Sequence, residues 1–295
     1  LPLCVASVMG GAMFGDNLSF ISDTTIAACQ GQGCQMKDKF RENFKIALPA
    51  ALVTLVIILV LSLGTDISGT VQNDYNLLEL IPYLIVLVGG IVGINVFIVL
   101  LLGILSGSII VVAEGAVAAT DLLGNMGTGA AGMFETTMVA VLVSAICALI
   151  RENGGFVALL NGIKRLFRSR KGGQLGMGLL VGAMDIATAN NTVAIVMANP
   201  IAHEMAETYN VSRRKTASIL DTFSCVFQGV IPYGAQMLVA ISACTELGFQ
   251  VSAFQIMPFL FYPFFLLISS LVFIFFVPDD RGYVPDHAAY HSSSS

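Results

Sequence analysis

Long apolar runs alternate with short polar interruptions along this chain, and their lengths predict membrane-spanning helices. Residues 46–64 and 257–277 each supply about the 20 apolar residues that a helix needs to cross a bilayer. Residues 81–113 are apolar over too great a length for one upright helix, so the glycines and Asn95 near their middle predict two shorter helices. Weaker candidate spans cover residues 1–14, 133–150, 175–205 and 216–244. No segment has the regular alternation of a barrel strand, so the pattern predicts an all-α polytopic membrane protein.

Composition excludes the ordinary soluble class. The chain is 56% hydrophobic and 11% charged with a mean hydropathy of +0.84, whereas soluble domains contain about 25% charged residues. The net charge of -5 falls largely in loops and buried acids, and we expect no nucleic-acid partner. Cys29 and Cys34 lack zinc-site spacing, and we interpret the cysteines as small apolar residues.

The first interruption, residues 15–25 (GDNLSFISDTT), places acids and hydroxyls beside an apolar run. Ionisable groups at membrane depth are costly and usually mark an ion or substrate path. Unwound backbone there would add carbonyl oxygens, and hard oxygen ligands suit a hard cation such as Na⁺. The alternative is simple helix capping by Asp16 and Asp23. The candidate ion- and proton-binding residues are Asp16, Ser19, Ser22, Asp23, Thr24 and Thr25.

A second interruption at residues 185–192 (DIATANNT) has the same character, and a polar helix face follows it in residues 216–236. Amide oxygens of the asparagine pair would bind a cation, whereas their NH₂ groups would serve an anionic substrate. Asp221 is either a site residue or an interhelical hydrogen-bonding group. With Asp23, it is our candidate Na⁺ ligand. The further candidate ion- and proton-binding residues are Asp185, Thr188, Asn190, Asn191, Thr192, Asp221 and Thr222.

Buried aspartates can couple a cation to a proton. Burial favours the neutral acid, while a nearby cation favours the carboxylate. A proton and Na⁺ therefore exclude each other at one group, which is sufficient for exchange.

Basic clusters predict the orientation of the loops. By the positive-inside rule, loops at 37–45 and 164–171 face the cytoplasm, and the acidic loop at 65–78 faces outward. Four crossings between the basic loops would satisfy this rule. A single crossing by residues 175–205 would place Arg213–Lys215 outside, whereas a re-entrant hairpin would keep them inside. We expect the crossing, because it inverts the second interruption relative to the first.

The matched order of apolar run, interruption, helix and basic loop predicts inverted repeats, an arrangement of many secondary transporters. Residues 1–153 would form the end of the first repeat with connecting helices, and 154–171 a cytoplasmic amphipathic linker helix. Residues 172–278 would form the second repeat and 279–295 a polar tail. The chain opens inside an apolar run without a methionine, so we expect that N-terminal helices are missing from it.

The first interruption resembles the signature of the NhaC-type Na⁺/H⁺ antiporters. Gly15-Asp16, Ser19 and Ser22-Asp23-Thr24-Thr25 match it, while Phe20 stands where that family usually has proline. Residues 190–192 and 218–232 resemble later parts of the family more loosely. The resemblance implies a member of the ion-transporter superfamily in the bacterial cytoplasmic membrane. It also implies exchange of Na⁺ for H⁺, no cofactor beyond these ions, the lipid bilayer as partner and a possible homodimer.

Other functions remain open at this point. A Na⁺- or H⁺-coupled carrier of a small carboxylate or amino acid, such as malate or lactate, could use the same scaffold. An anionic substrate would favour an intramembrane base, and no predicted span contains one. Residues 13–16 lack the Gly-x-Gly-Asp pattern of an intramembrane aspartyl protease, and we expect no enzyme. Nothing repeats like the lining of a channel filter.

Overall fold

The computed structural model describes residues 1–20, 22–63, 76–92, 94–132, 152–167, 169–246 and 248–277, with the single residues 138, 142, 145 and 149. All regular structure within these residues is helical, as predicted. The expected span at 133–150 lies mostly outside the described residues, and the tail at 279–295 lies entirely outside them. The chain divides into two compact units, Leu1–Val60 with Val143–Ser295, and Leu61–Leu142.

The first unit contains most of the helices. Its N-terminal helices are α1 (Pro2–Asn17), α2 (Asp23–Gln32) and α3 (Met36–Ser62), the last of which ends at the boundary with the second unit. The second unit contains α4 (Ile81–Val92), α5 (Val96–Ala113) and α6 (Ala119–Gly132). The first unit resumes with α7 (Gly155–Leu166), α8 (Arg170–Thr188), α9 (Asn191–Thr208), α10 (Arg213–Val230), α11 (Ala235–Glu246), the short α12 (Ala253–Ile256) and α13 (Phe261–Phe276). Short 3-10 turns cover Leu77–Leu80 and Met257–Phe259.

The core of the first unit lies where α8, α9 and α10 pack together and against α2 and α13. Small residues permit the close approach of α8 to α10. A Cβ atom on Gly178 would lie 2.6 Å from the Phe223 ring, and one on Gly182 would lie 2.3 Å from the Phe227 ring. The backbone of α8 therefore lies directly against the aromatic side chains of α10 along this face.

A helix ends and another begins at each polar interruption. α1 ends at Asn17, and Ser22 caps α2 by accepting a hydrogen bond from the Thr25 amide at 3.3 Å. α8 ends at Thr188, followed by a left-handed residue, Ala189 (φ 54°). The interpretation of Asp16 as a cap was wrong, because it lies in the last turn of α1 rather than before a helix. The N-cap of α2 is likewise Ser22 and not Asp23.

α3 corrects the predicted basic loop at 37–45. The helix begins at Met36, and its buried face runs through Lys39, Asn43, Ile46, Ala47, Ala50 and Thr54. This spacing of three and four residues is helical, so the buried stripe continues upstream of the apolar run. Polar residues within the stripe, which suggested a loop, instead face other helices.

α3 is the one described helix that is both long and apolar enough to cross a membrane. Two bent pairs would raise the number to three if each pair forms one span. α10 and the following Ala235–Thr245 meet at 41°, and Ala253–Phe259 meets α13 at 50°.

The second unit confirms the predicted division of residues 81–113. α4 ends at Val92, and Asn95 caps α5 by accepting a hydrogen bond from the Phe97 amide at 3.0 Å. Glycines again mark the contact, since a Cβ on Gly103 would lie 2.6 Å from Val86. A helix is also present within the predicted amphipathic segment 154–170, as α7 in the first unit.

Candidate ion-binding site

Asp16 lies beside two hydroxyl groups at the end of α1. Both of its carboxylate oxygens lie 3.2 Å from the Thr24 hydroxyl, which donates to them. The Ser22 hydroxyl lies 3.1 Å from the same Thr24 oxygen and donates to the Asp16 carbonyl at 3.3 Å. The interruption between α1 and α2 therefore gathers a carboxylate, two hydroxyls and a backbone carbonyl in one place.

Asp23 joins the first interruption to the second. It is the first residue of α2, and its side chain is exposed. One carboxylate oxygen accepts the Thr24 amide at 3.0 Å, and the other accepts the hydroxyl of Thr192, in the first turn of α9, at 2.6 Å. The two interruptions, far apart in the sequence, are therefore in direct contact.

Asp221 is buried and charge-balanced. Its Oδ2 atom accepts hydrogen bonds from Lys39 Nζ at 2.7 Å and from Asn43 Nδ2 at 2.6 Å. Lys39 also donates to the Thr25 hydroxyl at 2.6 Å, and Asn43 donates to the Asn17 carbonyl at 2.8 Å. These bonds connect α2, α3 and α10 with the last residue of α1.

The charges of these groups interact with one another. Asp16 lies within electrostatic range of Asp221, Lys39 and Asp23. One ammonium group against the carboxylates of Asp16 and Asp221 leaves an excess of negative charge, to which the exposed Asp23 adds. Such an excess is costly at low dielectric unless protons or cations neutralise it. Among the described residues no group of three or more His, Cys, Asp or Glu is placed to hold a metal ion, so neutral oxygens would complete any cation site.

Asp185 stands apart from this cluster. It lies on α8 and is fully buried, and neither carboxylate oxygen has a hydrogen-bond partner among the described residues. The backbone N–H of Gln228 on α10 lies close enough to act on it without satisfying hydrogen-bond geometry.

Several of the predicted site residues bond to nearby backbone. Thr188 donates to the Met184 carbonyl at 2.9 Å, and Asn190 caps α9 by accepting the Val193 amide at 3.0 Å. Asn191 accepts the Thr192 amide at 3.0 Å, and Thr222 donates to the Ser218 carbonyl at 2.8 Å.

The hydroxyl of Ser19 takes part in the fold of the first interruption in the same way. Its Oγ accepts the Ser22 amide at 2.9 Å, and the Ser19 carbonyl accepts the Thr25 hydroxyl at 3.1 Å. The structure thus brings Asp16, Ser22, Asp23, Thr24 and Thr192 together through side-chain groups, with Asp221 and Thr25 joined through Lys39.

Sequence reasoning missed Lys39 and Asn43. No base lies in the predicted span 46–64, but the helix that contains this span begins at Met36 and includes Lys39, which is fully buried. The signal was present, since Lys39, Asn43 and Ala47 are spaced four residues apart and lead into the apolar stripe.

Comparison with known proteins places the chain in a family. Residues 76–277 match the sequence model of the Na⁺/H⁺ antiporter family. The chain is 24% identical over 312 residues to the Na⁺/H⁺ antiporter NhaC of Bacillus subtilis (strain 168). That alignment covers 93% of this chain and 66% of the relative, so the chain spans about two thirds of its length. No solved structure matches. The family match covers more than half of the chain, which therefore belongs to the Na⁺/H⁺ antiporter family, a family of membrane ion transporters.

Proposed function

We propose that this protein exchanges Na⁺ for H⁺ across a membrane at the meeting point of its two polar interruptions. One observation carries the proposal. The carboxylate of Asp16 interacts with Asp23, with Asp221 and with the buried base Lys39, which pairs with Asp221, and hydroxyls lie beside it. Such a site has negative charge in excess, and its oxygen atoms are ligands that suit an alkali cation.

In this proposal, Na⁺ binds between the carboxylates of Asp16 and Asp23. The hydroxyls of Thr24 and Thr192 already donate to those carboxylates, and the Ser22 hydroxyl contacts that of Thr24. All three hydroxyls would turn their oxygen lone pairs toward the ion. A proton on either acid removes the charge that attracts Na⁺. Binding of one ion therefore opposes binding of the other, which couples their movements.

Asp221 contributes differently. Lys39 and Asn43 both donate to its Oδ2 atom, so Na⁺ would have to displace a tethered ammonium to bind there. We propose that the Lys39–Asp221 pair holds α2, α3 and α10 in register around the site and sets its charge. Thr222, predicted as an ion-binding residue, would instead orient this part of α10 through its hydrogen bond to the Ser218 carbonyl.

The proposed membrane arrangement pairs the two interruptions. α1–α2 and α8–α9 each contain an apolar helix, an interruption and a second helix, as in inverted repeats whose breaks meet at midplane. The Asp23–Thr192 contact supports this arrangement. The bacterial cytoplasmic membrane is the proposed location.

Exchange is tested in proteoliposomes that contain the full-length protein and a pH-sensitive dye. Added Na⁺ should dissipate an imposed pH gradient. Asp16→Asn and Asp23→Asn should each reduce the response at least tenfold, while Asp121→Asn, an exposed acid of α6, should leave it unchanged. Full activity in both site variants would contradict the site, and no response in the wild-type protein would contradict the function.

One observation favours a coupled carrier of a small carboxylate as the second candidate. α2 and α9 both begin at the contact of Asp23 with Thr192, and helix N-termini favour anions. Asp23 itself already occupies this position, which is why cation exchange ranks first. Uptake of labelled malate or lactate without exchange of Na⁺ for H⁺ would reverse the order.

A further inference from the structure

Unpartnered oxygen acceptors occur together between α8 and α10. Asp185 on α8 and Gln228 on α10 are 0% and 1% exposed. The two carboxylate oxygens of Asp185 have no hydrogen-bond partner among the described residues, and the same holds for the Oε1 atom of Gln228. Buried polar groups in proteins are nearly always hydrogen-bonded, so these acceptors require a donor or a cation that the described protein groups do not supply.

The packing of α8 fixes where Asp185 points. Gly178, Gly182 and Asp185 are spaced four and three residues apart and so share one face of the helix. The two glycines contact Phe223 and Phe227 of α10, which directs this face at α10. The carboxylate of Asp185 therefore lies in the tight contact between the two helices.

The side-chain amide of Gln228 is oriented so that its carbonyl oxygen can accept a hydrogen bond. Its Nε2 atom donates to the carbonyl of Ala189, the left-handed residue that ends α8, at 3.1 Å. Since the amide nitrogen is committed to this bond, the Oε1 atom of the same group is the end that lacks a donor.

No cation balances Asp185 in the described chain. Helices α7, α9, α10 and α13 pack against α8. The titratable and charged side chains that the structure describes on these helices are Arg165, His203, Glu204, Glu207, Arg213, Arg214, Lys215, Asp221, Cys225 and Tyr262. Of these, only the Cys225 thiol interacts with Asp185. The Lys39 ammonium is committed to Asp221 and Thr25.

We propose that Asp185 is a second proton-binding site, separate from the site where Na⁺ and a proton compete. Its role in transport rests on the proposed exchange function. A neutral carboxylic acid has an O–H that can donate to Gln228 Oε1, and one proton thereby satisfies acceptors on both helices. A sodium ion would need a larger cluster of oxygens than the two carboxylate oxygens of Asp185 and the single amide oxygen of Gln228. Loss of the proton to water leaves an ionised, unpartnered carboxylate, which favours separation of α8 from α10.

Infrared spectroscopy of the reconstituted full-length protein tests protonation directly. At neutral pH, wild-type protein should show the carbonyl band of a carboxylic acid that Asp185→Asn loses and Asp121→Asn keeps. Gln228→Leu should shift the band, because the acid loses its acceptor. Identical spectra of wild-type protein and Asp185→Asn would overturn the proposal, whatever the transport activity.

A transport measurement tests the role in exchange. Asp185→Asn should lose Na⁺-driven proton movement at least tenfold and still be stabilised against heat by the same Na⁺ concentrations as the wild type. Unchanged exchange would overturn the role of Asp185, and loss of Na⁺ stabilisation would overturn its separation from the Na⁺ site. Failure of wild-type protein to exchange Na⁺ for H⁺ would contradict the proposed function, and the infrared result would still decide protonation.

Discussion

Lys39 Nζ lies 2.7 Å from Asp221 Oδ2, and the two side chains are 0% and 1% exposed. The pair links α3 to α10 in the first unit. Buried ion pairs add little net stability compared with apolar residues, but removal of one partner leaves an uncompensated charge. Removal of one side chain of this pair should therefore lower the free energy of unfolding far more than replacement of both by apolar residues.

Lys39→Met should be strongly destabilising. Asp221 would retain Asn43 as a donor but lose its counter-ion, at a cost of about 3–5 kcal/mol. Denaturant unfolding of the detergent-solubilised protein measures the change. Lys45→Met is the matched control on the same helix, since Lys45 is 56% exposed and lies 3.6 Å from Glu42. Its loss should cost at most about 1 kcal/mol.

The double variant Lys39→Met/Asp221→Leu separates charge from packing. With both charges removed, most of the stability lost in Lys39→Met should return. A double variant as unstable as the sum of the single changes would show no energetic coupling between the two side chains, contrary to the argument from desolvation.

Sequence patterns predicted the elements and the polar interruptions because both depend on local spacing and on the cost of polar groups in an apolar run. The helix pair within 81–113 is confirmed. Lys39 was misplaced because a basic residue near the end of an apolar run is normally a loop residue. Its partner, Asp221, comes much later in the sequence, and nothing local to Lys39 signals the contact.

The contact between Asp23 and Thr192 could not be predicted from the sequence, for the same reason. Both residues were predicted as site residues, yet their spacing along the chain says nothing about which side chains meet. Packing of α2 against α9 and α10 brings them together. The unpaired state of Asp185 also depends on tertiary packing, because the close approach at Gly178 and Gly182 sets it.

Thr192→Val should weaken Na⁺ binding more than it weakens the fold. The change removes the hydroxyl that donates to Asp23 at 2.6 Å, while shape is nearly kept. Because Asp23 is exposed and water can replace the hydroxyl, we expect about 0.5–1.5 kcal/mol of lost interaction. Part of this loss should appear as a higher Na⁺ concentration for half-maximal exchange in proteoliposomes. Thr245→Val, which loses only a bond to its own helix at Ile241, should not change that concentration.

Asn190→Ala should loosen the start of α9. Its side chain accepts the Val193 amide at 3.0 Å, and loss of such a cap costs about 1 kcal/mol. Asn190→Ser keeps an acceptor and should recover most of that stability in the same unfolding assay. Equal losses in both variants would show that Asn190 acts through something other than capping.

Gly182→Ala should destabilise the contact between α8 and α10 even though alanine favours helices. Its methyl group would lie 2.3 Å from the Phe227 ring, and overpacking of this kind costs about 1–3 kcal/mol. Gly11→Ala in α1 is the matched control, because no atom lies within 4 Å of its added Cβ. There alanine should stabilise the helix by up to about 1 kcal/mol. Phe227→Leu in the Gly182→Ala background makes room for the methyl group and should recover part of the loss. If Gly182→Ala matched Gly11→Ala in unfolding free energy, the close approach that buries Asp185 would be contradicted.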